Sequence, residues 1–155
     1  MTPILARRRN PLSRFFEIEG QVLLYRVVFV SEMIGGANHT TQSLAEILGA
    51  SERNNRRDEI GSAMLFHEGE AAQVIEGARA DLDRLLSRLW NDPRHRNIRV
   101  LDDRPVMQRR MREPARLCAL SDRQAAEILR GRRLSDLSSA GLEKLLSCEH
   151  VRMAA

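Results

Sequence analysis

The clearest hydrophobic signal is the run at 22–30, Val-Leu-Leu-Tyr-Arg-Val-Val-Phe-Val, which is apolar apart from Tyr25 and Arg26 and rich in β-branched residues. A run of this kind predicts a central strand buried on both faces. After a Gly35-Gly36 loop, Leu44, Ile47 and Leu48 recur at i, i+3 and i+4. They predict a helix opened by Thr41 or Ser43 and fading over 49–55. Two short strands follow at 60–67 and 70–76, joined by a tight turn at Glu68-Gly69. Leu82, Leu85, Leu86 and Leu89 mark one face of a second helix over 81–90, ended by Asp92-Pro93. Beyond it the pattern predicts a short strand at 97–101, a charged loop or irregular strand at 102–113 and a last strand at 115–120. Ser121-Asp122 opens a helix to Arg130, and a final helix near Ser138 carries Leu142, Leu145 and Leu146.

This order, βαββαββ followed by two helices, is the ferredoxin-like arrangement of an α/β fold with one extra strand. It implies a mixed five-stranded sheet with two helices on one face. The C-terminal helical pair would cover part of the other face or meet a partner. The chain divides into a basic, Pro-broken N-terminal extension at 1–20, a domain at 21–120 and a helical extension at 121–155. The extension would be a short packed helix or a frayed arm.

Composition narrows the picture. A length of 155 residues suits one domain with a short appendage. No stretch approaches the roughly 18 consecutive apolar residues of a membrane span, and Arg7-Arg8-Arg9 is not followed by the apolar run of a secretory signal. The net charge is +4, and Lys144 is the single lysine among 25 basic residues. Basic residues spread along the whole chain do not point to nucleic acid. Cys118 and Cys148 form neither a disulfide framework nor a metal spacing, so a reduced, cytoplasmic setting is expected. His39, His67, His95 and His150 are not at ligand spacing, and neither a nucleophile elbow nor a Walker loop occurs. Glu68 and Glu70, flanking a turn, are expected in solvent. No enzyme activity is predicted.

One constellation stands out. Asn54-Asn55 closes the first helix, Gln73-Val74-Ile75-Glu76-Gly77 ends the third strand, and Arg88, Asp92, Arg94 and His95 lie at the end of the second helix. The topology brings these elements to one end of the sheet. Amides and guanidinium groups there suit the carbonyl and N–H edge of a flat heteroaromatic ligand. Taken singly, Asn54 and Asn55 also read as a helix C-cap, Gln73 as a partner of neighbouring backbone, and Arg94 and His95 as solvated loop residues.

Together with Phe29-Val30-Ser31 and the strand from Ile60 to Phe66, these motifs resemble the BLUF family, blue-light sensors that use FAD. The resemblance covers about 22–120 and is most specific at Gln-x-x-Glu-Gly followed by Asp-x-Arg-His. It implies FAD between the two helices. Asn55 would hydrogen-bond the carbonyl edge, Gln73 would contact the ring and switch its hydrogen bonds, and Arg88, Asp92 and Arg94 would surround ring and side chain. Asn54 and His95 would flank them.

The chain departs from the family pattern at the photoactive tyrosine, whose counterpart is Phe29. Phenylalanine has no hydroxyl to donate to Gln73, so binding and photochemistry separate. Tyr25, the single tyrosine, lies four residues earlier, roughly 13 Å along a strand. It reads as a core or edge residue, and Trp90 as packing. The last-strand Trp and Met of the family are absent from Pro114-Ala115-Arg116-Leu117-Cys118, and Ala71-Ala72 replaces bulkier residues before Gln73.

The expectation is an FAD-binding sensory protein that signals through contacts with a protein partner and self-associates, and that responds to light weakly, differently or not at all because Phe29 puts the standard photocycle in doubt. The rival reading is a flavin-free interaction module of the same fold. Nucleic-acid binding through arginine is a third, and it predicts a steep salt dependence.

Overall fold

The structure, a computed structural model, describes residues 17–18, 21–34, 41–148 and 151. The extension expected at 1–20 therefore lies almost wholly outside the described residues, as do the 35–40 loop and most of the C-terminal tail. A two-residue pair, β1 (Glu17–Ile18) and β2 (Gln21–Val22), precedes the domain. The domain runs β3 (Leu24–Met33), α1 (Thr41–Arg57), β4 (Gly61–His67), β5 (Glu70–Ala78), α2 (Arg79–Trp90), β6 (His95–Val106) and β7 (Arg116–Cys118). Then come α3 (Asp122–Leu129), a 3-10 turn (Leu134–Asp136) and α4 (Ser139–Ser147).

The five-stranded sheet has the order β6-β3-β5-β4-β7. β3 pairs antiparallel with β5 and β6, β4 antiparallel with β5, and β7 parallel with β4. This is the expected mixed ferredoxin-like sheet. The run at 22–30 is apolar because β3 lies inside the sheet with both faces covered, and every residue from Arg26 to Ser31 is buried.

Side-chain alternation divides the core in two. Val28, Val30, Ala63, Leu65, Ala72 and Val74 point to one face, where Leu129, Leu134, Leu142 and Leu146 meet them. Val27, Phe29 and Ile75 point to the other, against Ile60, Leu82 and Leu85. The C-terminal helices thus cover the far face of the sheet, one of the two placements expected for them.

Three local expectations hold in detail. Glu68 (φ 47°) and Gly69 (φ 78°) form the tight turn of the β4–β5 hairpin, with both central residues left-handed as a type I′ turn requires. Ser121 caps α3, its Oγ accepting from the Gln124 N–H at 3.2 Å while Gln124 Oε1 accepts from the Ser121 N–H at 3.0 Å. Ser138 caps α4, accepting from the Gly141 N–H at 3.0 Å.

Others need correction. β6 continues through 102–106, read from sequence as a charged loop or irregular strand. As an edge strand it needs no apolar alternation, and Pro105 is accommodated because one side of the strand has no ladder to break. Two register shifts against β3 spread its pattern further. Glu70 is not solvated but 4% exposed, with Arg133 Nε at 3.4 Å. Trp90 is 56% exposed rather than packed, because the buried stripe of α2 runs through Leu82 and Leu85.

Candidate functional site

The first helix does not fade over 49–55 but continues to Arg57. Asn54 and Asn55 are therefore in its last helical turn, and the C-cap reading of the pair is overturned. The stop is a Schellman motif: Ile60 N–H donates to Asn55 O at 2.8 Å and Glu59 N–H to Arg56 O at 3.4 Å, with Glu59 left-handed at φ 55°. Ile60 then enters the core at 2% exposure. This anchorage places Asn55 against β4, within hydrogen-bonding distance of Ser62.

Asn55 is 2% exposed. Its Nδ2 donates to Ser62 Oγ at 3.1 Å and to the Pro114 carbonyl at 2.7 Å, and Ser62 Oγ donates to the same carbonyl at 2.8 Å. Its Oδ1 is buried with no hydrogen-bond partner among the described residues. A buried amide oxygen without a donor costs roughly 1–3 kcal/mol. That cost marks a place where an N–H from a ligand would be stabilising.

Asn55 borders a cleft of about 190 Å3 between α1 and α2, floored by Met64, Phe66, Gln73 and Ile75 and walled by Leu85 and Leu89. Asn54, Arg88, Asp92, Arg94 and His95 complete the lining. The structure thus brings all the sequence-predicted site residues but Phe29 to one cavity. Gln73 is opposite Phe29 on β3 and Met64 on β4, so all three share the cleft-side face of the sheet. The Gln73 side chain is 6% exposed, and among the described residues no hydrogen bond holds its amide. Phe29 itself is 1% exposed, part of the hydrocarbon core with Val27, Ile75 and Leu82.

The rim is polar and ordered by ion pairs. Arg94 straddles the Asp92 carboxylate, with Nη2–Oδ2 at 2.7 Å and Nε–Oδ1 at 3.0 Å, and its own N–H donates to Oδ1 at 2.9 Å. Hydrogen bonding from Arg94 holds the Asp92 carboxyl below the usual carboxylate range. Arg88 reaches Asp58 Oδ2 at 3.6 Å, and Arg57 Nε reaches Asp58 Oδ1 at 3.0 Å. The hydrogen bond from Arg57 lowers the Asp58 pKa. His95 Nδ1 lies 3.0 Å from Ser31 Oγ, which fixes the imidazole against the end of β3.

Tyr25 packs beside the same core, with the Arg79 guanidinium 4.9 Å above its ring, and does not line the cleft. Sequence reasoning passed over the apolar lining, Met64, Phe66, Leu85 and Leu89. It also passed over Ser62, which orients Asn55. Ser62 carried a signal, being a polar residue between buried positions of β4. Among the described residues no group of His, Cys, Asp or Glu is arranged to hold a metal, and both cysteines are free thiols. Among the described residues, no helix is long and apolar enough to cross a membrane.

Amide and guanidinium groups above an apolar floor suit a flat ring with a polar edge. Residues 24–115 match the family described as BLUF, sensors of blue-light using FAD. Over 86 residues, 56% of this chain, the sequence is 30% identical to the photoactivated adenylate cyclase subunit beta of Euglena gracilis. The match takes up 10% of that relative's length. Among solved structures, BlsA in its ground state superposes with a TM-score of 0.73 at 19% identity, covering 84% of this chain and 91% of that one. BlrP1 of Klebsiella pneumoniae, solved with FMN and cyclic diGMP, gives 0.57 at 23% identity over 84% of this chain and 31% of its own. Those two likenesses show the shared fold, while the match over 24–115 covers more than half of the chain and includes every residue of the cleft. On that match the chain belongs to the BLUF family.

Proposed function

We propose that the cleft between α1 and α2 binds FAD and that the protein is a sensory module without enzyme activity, acting through a protein partner and through self-association in the cytoplasm. The observation that carries this reading is Asn55, whose Oδ1 is a buried acceptor without a donor among the described residues and which borders a cavity with an apolar floor. When bound, the flavin supplies blue-light absorption and one-electron chemistry. Asn55 would offer its amide to the edge of the ring, Gln73 on the floor would lie beneath it, and Leu85 and Leu89 would pack against it from the α2 wall. Arg88, Arg94 and His95, with Asn54, present donors to the polar side chain of the ligand, and Asp92 holds Arg94 in place. FAD rather than FMN rests on the family resemblance.

Phe29 sets binding apart from photochemistry. It is directly opposite Gln73 and fully buried, yet it has neither a hydrogen bond to give that amide nor a proton to release. One neutral hydrogen bond contributes about 1 kcal/mol, so its loss leaves binding largely intact. The light reaction, in contrast, lacks the donor that the family pattern places there.

The test is the visible spectrum of the purified protein, dark and after blue light. A stoichiometric flavin band that does not shift is expected. A reversible red shift would overturn the role assigned to Phe29, and absence of flavin after reconstitution would favour the flavin-free interaction module. Asn55→Ala and Arg94→Ala should each weaken FAD retention about tenfold. Unchanged flavin content in both would sink the site. Phe29→Tyr in flavin-loaded protein should restore a light-induced shift.

A further inference from the structure

Arg109, Arg110 and Arg112 lie on the segment between β6 and β7, beside the place where α1 stops and β4 begins. The position of this segment is fixed. The buried Glu76 carboxylate accepts from the Arg110 N–H at 2.9 Å and from the Met111 N–H, and Met111 is itself buried. The Met111 carbonyl approaches Gly61 so closely that a Cβ there would clash with it. Two cavities open along the segment. One, of about 360 Å3, faces the end of α1 and is walled by Arg56, Glu59, Arg109 and Arg112. The other, of about 170 Å3, is walled by Ser62, Arg110, Glu113 and Arg116, and Arg112 borders both.

Positive charge on these walls is only partly balanced. Arg56 pairs with Glu52 at 2.7 Å and Arg110 with Glu143 at 3.2 Å. Arg109 instead donates to two main-chain carbonyls, Glu59 O at 2.7 Å and Glu76 O at 3.4 Å. They fix its guanidinium and leave its charge without a carboxylate. Arg112 is exposed and, among the described residues, has neither an ion pair nor a hydrogen bond. The cleft-side arginines differ: Arg79, Arg84, Arg88 and Arg94 each have a carboxylate partner. Two residues before Arg109, Met107 is 90% exposed.

A guanidinium already held in place pairs with a carboxylate without first having to be ordered. An exposed methionine beside it offers an adaptable apolar contact. A nucleic acid fits less well. Among the described residues no aromatic side chain lines either cavity to stack on a base, and Glu59 and Glu113 interrupt the row of positive charge.

We propose that this face docks an acidic segment of a protein partner, with carboxylates on Arg109 and Arg112 and an apolar residue on Met107. This rests on the reading that the protein acts through a protein partner, and it is independent of flavin binding.

Fluorescence anisotropy of a labelled peptide of alternating glutamate and leucine, titrated with the full chain at low salt, tests it. The wild type should bind, and its affinity should fall steeply as salt is raised. Arg112→Glu, which removes no contact within the protein, should weaken binding about tenfold or more, and Arg109→Ala by a similar factor. Met107→Ser should weaken it roughly threefold. Arg123→Ala on α3 should bind as the wild type does. Absence of binding by the wild type, or equal binding by Arg112→Glu, overturns the proposal. Displacement of the peptide by an equal concentration of inorganic phosphate or of a single-stranded oligonucleotide overturns the acidic segment as occupant. Crosslinking in cell extract separates the two readings. A protein captured equally by wild type and Arg112→Glu overturns the docking face alone, whereas no captured protein overturns the partner reading.

Discussion

The two faces of the sheet are made by alternate residues of the same strands, yet they are built differently. The face under α3 and α4 is filled mainly by aliphatic side chains from both sides, with Leu134, Leu142 and Leu146 completely buried, and its charged residues Arg26, Glu76 and Glu143 are buried as ion pairs with one another. The face under α1 and α2 is filled where Val27, Phe29 and Ile75 meet Leu82 and Leu85, and then opens into a cleft of about 190 Å3. On that face the strands carry Ser31, Ser62 and Gln73 where the opposite face carries Val30, Ala63 and Val74. One face holds the domain together. The other gives up part of its apolar packing for amides and guanidinium groups that a ligand can use.

The sharpest way to break this contrast is truncation on each face. Leu142→Ala should destabilise by about 2–5 kcal/mol in denaturant titration, because the packed face cannot collapse around the hole. Leu85→Ala, at the cleft wall, should fall at or below the low end of that range. Equal costs would mean that the cleft face is as tightly packed as the other. Gly61→Ala comes next, at about 1–3 kcal/mol, because the new methyl meets the Met111 carbonyl and the segment carrying it must move.

Binding sharpens the contrast further. Leu142→Ala, measured where the protein remains folded, should leave FAD affinity unchanged, whereas Asn55→Ala should lower it about tenfold by fluorescence titration. The smallest effect is expected from pH. The Asp92 carboxyl is held below its ordinary value of 3.8, so its pair with Arg94 stabilises the fold above that value. The contribution is lost as pH falls through the lower folded-state pKa. With Arg94 half exposed, it amounts to less than about 1 kcal/mol. Acid titration of Asp92→Asn should show a correspondingly shallower loss of stability below about pH 4.

Much of the architecture was legible along the chain. The apolar run of β3, the leucine stripe of α2, the Glu68-Gly69 turn and the helix start at Ser121-Asp122 are local patterns whose physical meaning depends little on distant residues. The cleft was legible as a set of residue types, since Asn55, Gln73 and Arg94 are unusual companions for one sheet end. Its apolar floor was not, because Met64 and Phe66 look like any strand residues until α1 and α2 are placed over them. β6 was legible plainly over 97–101 and, over 102–106, only as one of two readings, a charged loop or an irregular strand. An edge strand needs just one partner, and its charged alternation resembles a loop.

The sequence by itself determined the element order, the two-sided burial of β3 and the polar residues available to a site. These follow from periodicity and residue chemistry over a few positions. The tertiary structure alone decided that Arg26, Glu76 and Glu143, 117 residues apart at the extremes, share one buried cluster. It alone decided that Asn55 borders the cleft and also holds the Pro114 carbonyl. A charge inside an apolar run announces that a partner must exist. Which partner it finds depends on long-range packing, because the favourable interaction with a guanidinium or a backbone N–H arises only when the chain brings the two within hydrogen-bonding distance.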